Sequence, residues 1–215
     1  IGSVTHIFSD KTGTLTANEM RLVSSSIGGK VYGFKPVQVL SHSHGENQEE
    51  ASVNASPPKV QISELFKDLM KEIQASSSDG GIPLHIDMFL LLLSVCHTVV
   101  IDHDEEGNVQ YNAEGPDEEA LVRAAAGLGY VLVSTENNTM VVKRIDKENN
   151  KDTELHFKVL AINAFNSDRK RMSIIVEDPN GDVVLLMKGA DNVMLERCRA
   201  QHENELYISE IDMFK

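Results

Sequence analysis

The stretch RMSIIVEDPNGDVVLLMK, residues 171–188, decides the fold of this chain. It holds two apolar runs, Arg171–Val176 and Val183–Met187, on either side of the sequence Asp178-Pro179-Asn180-Gly181. Runs rich in Val and Ile favour β-strands, and Asp, Pro, Asn and Gly in succession favour a tight turn. The stretch therefore predicts a hairpin of two antiparallel strands.

Further strand-like segments precede this hairpin. They are Met20–Ile27 and Lys30–Phe34 on either side of Gly28-Gly29, then Val109–Ala113, Tyr130–Ser134, Thr139–Ile145 and Glu154–Asn163. Strands that are joined by short turns favour an antiparallel sheet with helices packed on it. The predicted fold class is therefore α+β, an antiparallel twisted sheet flanked by helices.

Apolar residues at helical spacing predict the helices that cover this sheet. The predicted helices are Val60–Ile73, Pro83 to about Val99, Asp117–Ala126, Asp191–Arg197 and Glu203–Phe214, with a linker at Ser76–Gly81 and an acidic turn at Asp102–Gly107. The most apolar run, Met88–Cys96, is shorter than the roughly 20 residues that a membrane span needs. We therefore expect it to form a buried core helix.

The composition limits the classes of ligand that this protein can bind. Its 33 acidic and 20 basic residues give a net charge of -13, which argues against a nucleic-acid binder because such a protein needs a basic face. A site for a nucleotide, which is also a polyanion, would need a locally basic pocket. Cys96 and Cys198 follow no metal or redox spacing, so we expect reduced thiols in a cytosolic protein.

The sequence Asp10-Lys11-Thr12-Gly13-Thr14 follows a short apolar run, Thr5–Ser9, that predicts a strand. An aspartate at the end of a buried strand, before a Gly-containing loop, is well placed to attack phosphorus and form an aspartyl phosphate. Phosphatases of the haloacid-dehalogenase type place a second aspartate two residues after the nucleophile. Here that position is Thr12, which cannot activate water, so we expect the phosphoenzyme to persist.

The run SDKTGTLTANEM, residues 9–20, resembles the phosphorylation motif of P-type ATPases. The resemblance implies the N-terminal strand of an incomplete phosphorylation domain over residues 1–20 and a nucleotide-binding domain over residues 21–215, with a flexible insertion at 41–58. It makes Asp10 the catalytic residue and places Asp10, Lys11 and Thr12 at the phosphates of ATP. Asp10 and Thr12 would bind Mg²⁺ together with residues of the phosphorylation domain that this chain lacks.

Three later segments match the same family in the expected order. EGPDEEAL (114–121) resembles the helix whose glutamate, here Glu118, contacts the adenine amino group. FNSDRKRMS (165–173) resembles the stretch in which Phe165 stacks on adenine, with Ser167 and Lys170 also at the nucleotide. KGAD (188–191) implies that Lys188 lies in the floor of the ATP pocket, where Gly189 permits close approach.

The combination of Pro116-Asp117-Glu118, Cys96-His97-Thr98-Val99 and FNSDRKRMS resembles the type IV class, the phospholipid flippases. This resemblance implies ATP, Mg²⁺, a phospholipid substrate and an accessory subunit as partners, and a place on the cytosolic face of a multi-pass membrane protein. The fragment alone should bind ATP without turnover. Two other functions stay open: a phosphatase of the haloacid-dehalogenase type, and a non-catalytic adenine-nucleotide sensor with a vestigial Asp10.

Overall fold

The part of the chain that the computed structural model describes, residues 6, 8–9, 14–16, 19–33, 61–77, 81–103, 109–146 and 152–198, contains five helices and nine strands. In chain order these are β1 (Ser24–Ile27), β2 (Lys30–Gly33), α1 (Ile62–Leu65), α2 (Lys67–Ser77), α3 (Leu84–Val95), β3 (Val100–His103), β4 (Val109–Asn112), α4 (Pro116–Gly127), β5 (Tyr130–Glu136), β6 (Thr139–Arg144), β7 (Thr153–Asn166), β8 (Arg171–Glu177), β9 (Val183–Gly189) and α5 (Asp191–Leu195). This mixture confirms the predicted α+β class.

Five antiparallel strands in the order β5-β6-β7-β8-β9 make the main sheet, while β1–β2 and β3–β4 form two small antiparallel pairs. The hairpin predicted from residues 171–188 is confirmed as β8–β9, with Glu177 opposite Val183. The Asp178 carboxylate closes its turn by accepting hydrogen bonds from the backbone N–H groups of Asn180 (2.8 Å) and Asp182 (2.9 Å). This local bonding explains why a short polar sequence reverses the chain.

One face of the main sheet is buried under α3 and α4. Alternate residues of β8, namely Met172, Ile174 and Val176, are almost fully buried and join the core that α3 contributes to. α3 packs against β5, β6 and β9, and each of its buried Leu or Ile side chains contributes about 1.5–3 kcal/mol to stability. The prediction of a buried core helix is confirmed, and no helix in the described ranges is long and apolar enough to cross a membrane.

The segment after α3 differs from the prediction. α3 ends at Val95 rather than near Val99, and residues 100–103 form β3 where the sequence predicted an acidic turn from Asp102. Two features cause this. The buried His97 bonds the backbone on both sides of the turn, which ends the helix, and pairing of β3 with β4 overrides the low strand propensity of Asp.

The predicted helix Val60–Ile73 is two helices, α1 and α2, with a break at Phe66. Phe66 leaves helical geometry with φ −104° and ψ 34°, and its side chain is 1% exposed in the core. α2 also continues to Ser77, through the start of the predicted linker. The Ser76 hydroxyl donates to the backbone oxygen of Glu72, four residues earlier, at 2.8 Å, which gives this polar side chain a partner within the helix.

The strand β7 runs to Asn166, three residues beyond its predicted end at Asn163. Asn is a poor strand former, so the sequence pattern stops early, but pairing of Asn166 with Arg171 of β8 continues the strand. From Ala161 onward, β7 pairs only with β8 among the described strands. As a result, Phe165 lies in a strand and close to an open sheet edge.

Few of the predictions for the N-terminal region concern residues that the structure describes. Within the predicted strand Thr5–Ser9, the described residues His6, Phe8 and Ser9 are not in a strand, and Phe8 is 95% exposed rather than buried. No strand among the described residues pairs with this run, and the rings of His6 and Phe8 stack on each other with centroids 6.5 Å apart. β1 likewise begins at Ser24 rather than Met20. The insertion 41–58 and the predicted helix Glu203–Phe214 lie outside the described residues.

Candidate nucleotide-binding site

Glu118 and Lys188, which are 70 residues apart in sequence, meet at one end of the main sheet. Glu118 lies in the first turn of α4, and Lys188 is the penultimate residue of β9. Lys188 pairs with the buried Met172, so its side chain points to the face that α4 covers. Lys188 Nζ lies 3.3 Å from Glu118 Oε1, and the two side chains are 21% and 15% exposed. The fold therefore brings together two of the predicted nucleotide-binding residues.

A third residue, Thr98, completes this contact. Its hydroxyl donates to Glu118 Oε2 at 2.7 Å from the segment between α3 and β3. The neighbouring Cys96 thiol donates to the backbone oxygen of Leu186 at 3.7 Å, which ties the same segment to β9. In the sequence, Cys96-His97-Thr98-Val99 indicated only the type IV class of P-type ATPase. The contact of Thr98 with Glu118 was not predicted.

Glu118 is held as a carboxylate. Its burial acts to raise its pKa, but the hydrogen bond from Thr98 and the positive charge of Lys188 outweigh burial and hold the pKa below its ordinary value. An ionised carboxylate can only accept hydrogen bonds, and it has about four lone-pair sites for them. Glu118 can therefore accept a donor from a ligand in addition to its two protein partners.

His97 fixes the turn that carries Thr98. Its ring is fully buried, with Nε2 at 3.0 Å from the backbone oxygen of Ser94 and Nδ1 at 3.0 Å from the backbone N–H of Val99. The N–H of Val99 must donate to Nδ1, so the ring is the neutral tautomer that carries its proton on Nε2. Burial lowers the pKa of His97 to about 4, which agrees with a neutral ring at physiological pH.

Phe165 is 64% exposed at the end of β7. Asn166, Arg171 and Gly189 are paired in one row across β7, β8 and β9. β7 and β9 run in the same direction, so Phe165 and Lys188 both lie one residue before this row. Two strand spacings put their backbones about 10 Å apart. An accessible aromatic ring thus lies at the same end of the sheet as the Glu118–Lys188 contact.

The turn after Phe165 is held against the end of β9. Asn166 Oδ1 accepts hydrogen bonds from the backbone of Asp168 (2.8 Å) and Arg169 (3.3 Å), and Lys170 takes a left-handed φ of 51°. The backbone oxygen of Lys170 then accepts from Ala190 at 3.0 Å. A Cβ on Gly189 would lie 2.7 Å from that oxygen, so this close approach requires glycine.

This turn carries positive charge. Ser167 and Lys170 are exposed on it, and their predicted nucleotide contacts stay predictions. Burial, together with the positive charges of Arg197 and Arg169, lowers the pKa of Arg171, so three guanidinium groups lie near one another. The end of the sheet that carries this turn therefore has a local positive charge, although the chain as a whole is acidic. Sequence reasoning noted the cations around residue 170 but not the contribution of Arg197 from beyond α5.

Asp10, Lys11 and Thr12 lie outside the described residues. Their predicted roles, catalysis by Asp10, phosphate binding by all three and Mg²⁺ binding by Asp10 and Thr12, therefore stay predictions. The same holds for the proposed domain boundary between residues 20 and 21.

The class of protein follows from comparison with known families. Residues 85–213, more than half of the chain, match the model of the P-type ATPase cytoplasmic domain N. This chain therefore belongs to the P-type ATPase family. The matched region holds Thr98, Glu118, Phe165 and Lys188, so the contacts described above all lie inside this domain.

Individual proteins of this family are similar to the chain over most of its length. The chain is 39% identical over 207 residues to probable phospholipid-transporting ATPase 11 of Arabidopsis thaliana, covering 92% of this chain and 17% of that protein. It is 39% identical over 199 residues to phospholipid-transporting ATPase IC of Homo sapiens, covering 92% and 15%, and 40% identical over 201 residues to human phospholipid-transporting ATPase ID, covering 92% and 16%. The chain thus spans less than a fifth of the length of these relatives.

Proposed function

We propose that this chain binds ATP for a P-type ATPase that transports phospholipid. The observation that carries the proposal is the contact between Glu118 and Lys188 beside the exposed ring of Phe165. The similar proteins from Arabidopsis thaliana and Homo sapiens, which are named phospholipid-transporting ATPases, support the choice of phospholipid as the transported substrate.

The residues present fit the parts of ATP. The exposed face of Phe165 can stack on adenine, an interaction worth about 1–3 kcal/mol. The Glu118 carboxylate, which can only accept, suits the exocyclic amino group of adenine. Lys188 supplies a cation at the floor of the site, and Ser167 and Lys170 on the neighbouring turn can reach the sugar and phosphate end.

The catalytic step would use the N-terminal motif. A carboxylate oxygen of Asp10 would attack the γ-phosphorus of ATP, the bond from that phosphorus to the bridging oxygen would break, and ADP would leave. Mg²⁺ held by Asp10 and Thr12 would supply charge neutralisation at the phosphates. Thr12 offers no general base for water, so the aspartyl phosphate would persist long enough to drive phospholipid translocation.

Membrane-embedded parts of the whole protein would bind the phospholipid and an accessory subunit. This chain would then lie on the cytosolic face of the membrane, and alone it would bind ATP without turning it over. Labelling the whole protein with radioactive ATP tests the catalytic part of this proposal. We expect Asp10→Asn to abolish the covalent label, and an unchanged label would contradict the role of Asp10.

A titration of the ¹⁵N-labelled chain with ATP tests the binding part. We expect amide shifts at Phe165, Glu118 and Lys188 and a Kd in the millimolar range, which corresponds to a binding free energy of about −4 kcal/mol. Leu185, 58% exposed on the hairpin strand β9, is a control residue away from the site and should not shift. Shifts confined to other parts of the sheet would contradict the proposed site.

A further inference from the structure

We propose that the segment Cys96-His97-Thr98 is a positioning element that orients the Glu118 carboxylate and so makes the site select a purine with an amino group, rather than a carbonyl, at position 6. The inference rests on the proposed ATP binding and adds residues that the sequence resemblance did not assign to the site. Its parts are a turn held by the His97 ring, the Thr98 hydroxyl on that turn, and the Glu118 carboxylate, which accepts from a side-chain donor on each oxygen.

The three residues of this element each bond a different partner. The Cys96 thiol donates to the backbone oxygen of Leu186 at 3.7 Å, two residues before Lys188 on β9. The His97 ring bonds the backbone on both sides of its own turn, at 3.0 Å in each case. The Thr98 hydroxyl donates to Glu118 Oε2 at 2.7 Å. The element therefore connects the end of α3 to both α4 and β9.

His97 is what gives Thr98 a defined direction. Thr98 is exposed and its hydroxyl contacts Glu118, whereas His97 and Val99 on either side of it are buried. Because the ring of His97 joins the backbone before Thr98 to the backbone after it, the peptide that carries Thr98 has little freedom. The hydroxyl is thus held towards Glu118 by its neighbours rather than by its own packing.

The two donors on Glu118 explain how this arrangement selects a base. Lys188 bonds Oε1 and Thr98 bonds Oε2, so the carboxylate plane is fixed and its remaining lone pairs point in set directions. An ionised carboxylate attracts an amino group, as on adenine, and repels a carbonyl oxygen, which guanine carries at the equivalent position. A carboxylate that could rotate freely would discriminate less between the two bases.

Dissociation constants for ATP and GTP, measured by titration of the intact chain, test this inference. We expect Thr98→Val to weaken ATP binding roughly three- to tenfold, the range for loss of one hydrogen bond, and to lower the preference for ATP over GTP. Thr98→Ser keeps the hydroxyl and should restore both values. Thr135→Val, an exposed threonine on β5, is the matched control and should leave both unchanged.

A double-mutant cycle tests whether His97 acts through Thr98. We expect His97→Gln to lower the ATP preference as Thr98→Val does, and we expect the double variant to show no further loss beyond about twofold. Independent losses that multiply would contradict the positioning role of His97. If His97→Gln fails to fold by amide NMR, the ratio measured with Thr98→Val and Thr98→Ser still decides the role of Thr98.

The outcomes separate this inference from the proposal it rests on. A wild-type chain that binds ATP, combined with a Thr98→Val variant that keeps the wild-type preference for ATP over GTP, would overturn the inference alone. A wild-type chain that binds neither nucleotide would overturn the proposed function and this inference with it.

Discussion

The buried ring of His97 makes the stability of this domain depend on pH. Its pKa is about 4 in the folded chain and near 6.5 in the unfolded chain, because burial disfavours the charged ring. Below about pH 6.5 the unfolded state therefore binds a proton that the folded state does not, and stability falls as pH falls. The difference between these two pKa values corresponds to about 3 kcal/mol in the free energy of unfolding, and about 2 kcal/mol of this is lost between about pH 7 and pH 5.

Two charged groups act on His97 besides burial, and they oppose each other. Lys188 lowers the pKa of the ring and Glu118 raises it, while the bond to Ser94 also raises it. Glu118 stays ionised in this window because its own pKa is below the ordinary value for a glutamate. The predicted loss of stability above about pH 5 is therefore assigned to His97 rather than to its neighbours.

Urea denaturation of the wild type and of His97→Gln at several pH values measures this effect. We expect the variant to be less stable at neutral pH but to lose about 2 kcal/mol less than the wild type on acidification. His156→Gln is the matched control, since the His156 side chain is 60% exposed, and it should keep the wild-type dependence. A His97 ring that titrates near pH 6.5 by NMR in the folded chain would refute the reasoning.

Two further predictions concern β9. Lys188→Met removes the cation that faces Glu118. It should weaken ATP binding by about 1.5–3 kcal/mol, the range for a hydrogen bond to a charged group. The control variant Lys158→Met, at a side chain that is 63% exposed, should leave the Kd for ATP unchanged. Gly189→Ala would put a Cβ 2.6 Å from Arg171 Cβ. We expect it to lower the free energy of unfolding by about 1–3 kcal/mol in urea denaturation, and a stability equal to wild type would contradict the close packing described here.

The sheet and α4 could be predicted because their signals are local. The hydrogen bonds of the Asp178 carboxylate in the turn all lie within residues 178–182. Pro116 begins α4 close to the predicted start of that helix. The resemblance placed Glu118 and Lys188 in one pocket, and the fold brings these two residues into contact across 70 positions. Their roles at a nucleotide are still to be measured.

The features that the sequence did not predict depend on tertiary contacts, which no local sequence pattern contains. Thr98 reaches Glu118 only because buried His97 turns the chain after α3, and neither burial nor that turn is visible in the letters of the sequence. β3 exists because β4 pairs with it, against the preference of Asp102. Similarly, β7 extends to Asn166 because β8 supplies a partner, and this pairing places Phe165 at the same end of the sheet as the Glu118–Lys188 contact.

The central claim is that ATP binds between Phe165 and the Glu118–Lys188 contact, and the affinity of Phe165→Ala for ATP tests it most directly. Removal of the stacking ring should weaken binding by about 1–3 kcal/mol, roughly five- to more than a hundredfold in Kd, with the fold intact by amide NMR. Leu185→Ala, which removes a comparably exposed apolar side chain from β9, should bind ATP as the wild type does. Equal affinity of Phe165→Ala and wild type would place the adenine elsewhere and contradict the account.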